Sequence, residues 1–136
     1  MLEPVKVYLA ALATFTATDM VWLGIMAPRF YKPLLGDIAI SGVNLPPAIL
    51  FYGIYPIGIA LFAIEPALRS GSMLTGLIYG ALFGFFTYAT YDLTNQATLR
   101  NWPASLTAVD IGWGTVLGAL TSVLTFWIVS RLLPPT

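Results

Sequence analysis

Three aspartates, Asp19, Asp92 and Asp110, are the residues best placed to do chemistry, because each is set in a largely apolar stretch. A carboxylate at the centre of a membrane helix costs about 2.5–3.5 kcal/mol on insertion scales. Such residues therefore face a bundle interior and mark a site. Two facing carboxyls can divide acid and base roles when their surroundings separate their proton affinities. Asp92 and Asp110 form the candidate catalytic pair, with Asp19 as a third acid. The segment around Asp92, "TYATYDLTNQATLRNWP" over residues 87–103, supplies further groups. Tyr88, Asp92 and Asn95 follow the i, i+4, i+7 spacing, so one helix face presents a phenol, a carboxyl and an amide. Trp22 stands three residues after Asp19 and Trp113 three after Asp110, and Arg100 is the cation nearest Asp92 in sequence. Tyr88, Asn95, Trp22, Trp113 and Arg100 are accordingly the candidate substrate-binding residues.

Each of these has a plainer reading. Asp92 could pair with Arg100 at a helix end, and Asp110 could be a first-turn acid favoured by the helix dipole. The tryptophans could form an aromatic belt at the membrane interface. Asp19 resists this treatment, because it lies about 15 Å inside the face marked by Arg29, at 1.5 Å rise per residue.

Absent residue types narrow the chemistry. The chain has no cysteine and no histidine. That removes thiolate nucleophiles, serine–histidine pairs and the usual zinc ligands, so no zinc or thiolate metal site is expected. A metal on Asp19, Asp92 and Asp110 would be a hard, oxygen-liking cation. Six Lys/Arg balance six Asp/Glu. That balance leaves no basic patch for nucleic acid.

The elements that must position these groups are membrane helices. Only 9% of the 136 residues are charged and 58% are hydrophobic, against about 25% charged in a soluble domain. A span needs about 20 mostly apolar residues, and four segments qualify: about 5–27, 46–64, 73–95 and 107–133. The chain thus reads as all-α, a single transmembrane domain over residues 1–136 folded as an integral membrane four-helix bundle. Pro28 and Arg29 are expected to stop the first helix, Pro56 to kink the second, and Pro66 to follow the second helix's end. The first segment reads as a retained helix, because Val7 to Leu12 is too short for a signal-peptide core and the apolar pattern runs on to Ala27. Phe30 and Tyr31 in the first loop, and the Asn101-Trp102-Pro103 turn, read as headgroup-level anchors. Lys6, Arg69 and Arg131 lie on one side and Arg29, Lys32 and Arg100 on the other. Three against three gives no orientation.

Gly76, Gly80 and Gly84 form a row of small residues at spacing four in the third helix; Gly114, Gly118 and Ser122 form another in the fourth. In lipid, small residues let backbones approach closely and hold helices together. Close packing of helices 3 and 4 through these rows is expected. If Gly84 meets Gly118, Asp92 and Asp110 each lie about 12 Å beyond the contact, on facing surfaces. Asp19 falls in the same leaflet.

"GALFGFFTYATYDLTNQATLRNWPASLTAVDIGWGT", from Gly80 to Thr115, resembles a family of small bacterial predicted membrane proteins known as domain of unknown function 2177. "DMVWLG" at Asp19 to Gly24 and "FYGIYPIGIALF" at Phe51 to Phe62 extend the resemblance over nearly the whole chain. It implies a multi-pass protein of the bacterial inner (cytoplasmic) membrane. It also implies a lipid connection, through gene neighbourhoods for fatty-acid modification and stress responses. No catalytic residue carries over from it. Three function classes follow. The first is an intramembrane acidic pocket near one face that binds or modifies a lipid-like substrate. The second is a small proton- or cation-coupled transporter. The third is an accessory subunit of a larger membrane complex, and a homo-oligomer is compatible with each.

Overall fold

The computed structural model describes residues 2–134, and among them the chain is helical with no strand. Four long helices carry the architecture: α1 (Leu2–Met26), α2 (Leu45–Ile59), α3 (Met73–Thr98) and α4 (Ala104–Trp127). With their helical extensions, all four are long and apolar enough to cross a membrane. The all-α membrane bundle expected from the sequence is the fold observed.

Proline does not stop these helices where the sequence suggests. After Met26 the chain continues through a π-turn, Ala27–Tyr31, a short α-helix, Lys32–Leu35, and a 3-10 turn, Gly36–Ile38. Likewise α2 runs on through a π-turn, Ala60–Ile64, into Glu65–Ser70, past the expected end at residue 64. A third π-turn, Ile128–Leu132, follows α4. Each π-turn closes with a bond from a residue to the carbonyl five back: Lys32 to Ala27, Glu65 to Ala60 and Leu133 to Ile128. The next residue is proline each time: Pro33, Pro66 and Pro134. Proline has no N–H to give the carbonyl four back, and its ring collides with that carbonyl. A widened turn just before it relieves both problems; at Pro33 and Pro66 the helix runs on, whereas the third π-turn closes its helix at Leu132.

The second extension ends where the backbone demands glycine. Gly71 adopts a left-handed φ of 65°. Gly71 N–H bonds Leu68 C=O and Ser72 N–H bonds Ala67 C=O, which satisfies two end carbonyls. Ser72 then caps α3 by accepting from Thr75 N–H at 3.2 Å.

The α3–α4 contact is backbone against backbone. A Cβ on Gly80 would overlap the Gly118 carbonyl, one on Gly84 the Gly114 carbonyl, and one on Gly118 the Gly80 carbonyl. The two small-residue rows therefore interlock as expected. Their register differs from the assumed one: Gly84 lies between Gly114 and Gly118, and the Tyr88 ring covers Gly114. Asp92 consequently reaches the level of Leu106 and Thr107. There the Thr107 hydroxyl donates to the Asp92 carbonyl at 3.5 Å.

The rest of the core joins α1 to its neighbours. Val7, Ala10, Ala11 and Phe15 of α1 pack with Tyr55, Ile59, Ala63 and Ile64 of α2 and its extension, and with Leu117 of α4. Phe15 stacks at a tilt on Tyr52 and Tyr55, with centroids 5.4 and 5.0 Å apart. The Thr14 and Thr125 hydroxyls meet at 3.0 Å across α1 and α4. Large apolar side chains such as Val21, Ile49, Phe62 and Phe86 point outward on every helix, which suits a bundle surrounded by lipid.

Candidate functional site

The polar side chains gather at one end of the bundle in two connected layers. In the inner layer Asp19, buried on α1, has both carboxyl oxygens engaged. Trp113 of α4 donates its indole N–H to Oδ1 at 2.9 Å, and the Tyr52 hydroxyl of α2 donates to Oδ2. In the outer layer Asp110 accepts from the Tyr31 hydroxyl at 2.6 Å, and Tyr31 accepts from the Trp22 indole N–H at 3.0 Å. The two layers touch through Trp22 and Trp113, whose rings stack at 4.3 Å and 3°. Each indole thus buries its face on the other and spends its N–H on a different acceptor, as a buried tryptophan requires.

Asp92 is different. It is 0% exposed, and no hydroxyl, N–H or cationic group among the described residues bonds either carboxyl oxygen, the neighbouring side chain being the Asp110 carboxyl. Buried polar atoms are paired in the great majority of cases, so an orphaned carboxyl needs a reason. The plainer reading, an Asp92–Arg100 ion pair, is not what forms: Arg100 is exposed and unpaired. The ion pairs among the described residues, Lys6–Glu3 and Arg69–Glu65, lie at the opposite end of the bundle.

Two cavities meet at this end. One, of about 720 Å³, lies between α2 and α3 and is walled mainly by Phe51, Ile54, Tyr55, Ile57, Leu61 and Phe83. Its polar end carries Thr87, Tyr88, Tyr91 and Asp110. The other, of about 380 Å³, lies under the segment that follows α1 and includes Asp92, Asp110, Tyr31, Lys32 and Trp102. Asp110 and Tyr91 line both.

The structure thus brings Asp92 and Asp110 to one pocket, with Tyr88 at the mouth of the apolar cavity. Trp22 and Trp113 act as donors within the site, although each bonds a residue on another segment rather than the aspartate three positions before it. Asn95 is half-buried but its side chain makes no hydrogen bond to either acid, and Arg100 lies outside. Asp19 is held by its own two donors, and the described residues hold no group of three or more acidic side chains placed to grip one metal ion. A joint cation site on Asp19, Asp92 and Asp110 is therefore not assembled.

Two site residues were not legible as such. Tyr31 reads as a headgroup anchor, yet the π-turn after α1 returns it to the bundle. Tyr52 sits in an apolar run and gives no periodic signal. The general signal is that a phenol within a membrane helix needs a hydrogen-bond partner.

Residues 4–127 match the family described as predicted membrane protein, domain of unknown function 2177. The chain belongs to that family. The match spans nearly all of α1 and the whole of α2, α3 and α4, so it takes in every residue of both layers. No curated protein and no solved structure matches the chain.

Proposed function

We propose that the protein binds, and holds for modification, a lipid-like amphiphile in the inner membrane of a bacterium. The hydrocarbon chain occupies the cavity between α2 and α3, and the head group enters the acidic pocket. The observation that carries this reading is that Asp110 lines both spaces. An aromatic and aliphatic wall that shares Tyr91 and Asp110 with a pocket holding two carboxyls suits a molecule with one apolar and one polar end. The larger cavity falls in the size range of small-molecule sites, about 300–1,000 Å³. Within the pocket the groups divide the work. Tyr31, oriented by Trp22, fixes one oxygen of Asp110, whose carboxyl lies beside that of Asp92. Asp92 contributes a carboxyl with both acceptor atoms unused. Asp19, Tyr52 and Trp113 hold the layer beneath.

Filling the cavity tests this directly. Ile54 is largely exposed and lines the larger space, so Ile54→Trp adds bulk there without disturbing the buried core. Co-purified lipid, extracted and quantified by mass spectrometry, is expected to fall roughly fivefold or more, because affinity depends on the chain fitting its site. Thermal unfolding in detergent is expected to be unchanged. Unaltered lipid retention in Ile54→Trp would remove the cavity from the account.

A further inference from the structure

We propose that the head group of this amphiphile carries an ammonium with N–H donors: a primary amine rather than an alcohol, an acid or a quaternary ammonium. The inference rests on the lipid-site reading above and specifies its substrate class. The pocket's charge comes first. Asp92 and Asp110 both line it, and Lys32 is the cation on its wall. Neither acid forms an ion pair with Lys32, Arg29 or Arg100. Two carboxyls against one exposed lysine leave the interior short of positive charge. A buried charge without a partner is costly, and a cation bound there would offset that cost.

Hydrogen-bonding capacity decides between cations. Asp92 is wholly buried and lines the pocket beside Asp110, and apart from that neighbouring carboxyl no side chain among the described residues bonds its two oxygens. One oxygen of Asp110 is already taken by Tyr31. The empty capacity is therefore for donors, and an ammonium brings up to three, in charge-assisted bonds about twice as strong as neutral ones. A trimethylammonium brings charge and no donor. An alcohol brings a donor and no charge. A carboxylate head would meet two like charges. Tyr91 and Trp102 supply aromatic walls nearby, their rings edge to face at 5.9 Å. Such walls tolerate a cation but do not satisfy an orphaned carboxyl.

The test uses the intact protein in nanodiscs of neutral lipid, titrated calorimetrically with dodecylamine, dodecyltrimethylammonium, dodecanol and dodecanoate, with uptake by protein-free discs subtracted. Dodecylamine is expected to bind at least about tenfold more tightly than the other three. In Asp92→Asn, checked for an unchanged unfolding temperature, that advantage is expected to shrink to about threefold or less. Equal binding of dodecylamine and dodecanol, or of dodecylamine and dodecyltrimethylammonium, would overturn the amine head while leaving the chain site standing. An undiminished advantage in Asp92→Asn would overturn it too. If none of the four binds, the lipid site itself falls.

Discussion

Leucine at Gly84 is expected to prevent α3 and α4 from docking and so to abolish the folded bundle. The Cβ alone would overlap the Gly114 carbonyl, and the obstacle is backbone, which no rotamer change can move aside. Over-packing a core by a methylene costs about 1–3 kcal/mol. Here the two helices would have to separate along their whole contact, since Gly80 and Gly118 interlock one turn away. That exceeds what a marginally stable bundle can absorb. Even Gly84→Ala should lose about 2–3 kcal/mol for the same reason. Gly112, on the same helix α4, is the control: a Cβ there meets nothing within 4 Å, so Gly112→Ala should leave stability unchanged or raise it by up to about 1 kcal/mol. Unfolding in detergent, followed by circular dichroism, with size-exclusion profiles of each variant, checks the series. Normal folding of Gly84→Leu would mean that the helix pair is not held by this contact.

The second large effect separates two aspartates that look alike in sequence. Asp19→Ala is expected to destabilise the protein by about 2–4 kcal/mol, because it strands the Trp113 indole N–H and the Tyr52 hydroxyl. Single interhelical hydrogen bonds in membranes average nearer 0.6 kcal/mol. The larger figure reflects two part-buried donors left without an acceptor. Asp92→Leu should do the opposite: no donor bonds Asp92's carboxyl, so replacing it removes two orphaned acceptors. Stability should stay the same or rise by about 1 kcal/mol, while lipid retention is lost. A gain in stability at the expense of function is the mark of a group kept for binding. Unfolding temperatures of the two variants, measured side by side, check this. Severe destabilisation in Asp92→Leu would make Asp92 a structural residue.

Much of the fold was legible because membrane physics leaves few choices. Apolar length set the four helices, and glycine spacing set which two interlock. The register was less so. A row of small residues at spacing four repeats every turn and so does not name its own register; in the observed fit the Tyr88 ring covers Gly114. That is a tertiary fact with no local trace. The helix ends were misread for a local reason: Pro28 and Pro66 read as stops, whereas π-turns carry the chain past them. Tyr31 belongs to the continuation past Pro28, so its place in the bundle has no local sign. The acids themselves stood out as costly residues in apolar surroundings. Which of them would be satisfied was not readable, since Asp19 takes its donors from α2 and α4.

In the proposed function an amphiphile lies with its chain between α2 and α3 and its head at Asp92 and Asp110. A long-chain amine carrying a diazirine at the end of its chain, photolysed on the protein in nanodiscs and mapped by peptide mass spectrometry, tests it most directly. Label is expected on the Phe51–Leu61 and Phe83–Tyr91 segments, and it should be lost when Asp92 and Asp110 are both replaced by leucine. Label spread evenly over the outward-facing residues of all four helices, unchanged by those replacements, would contradict it.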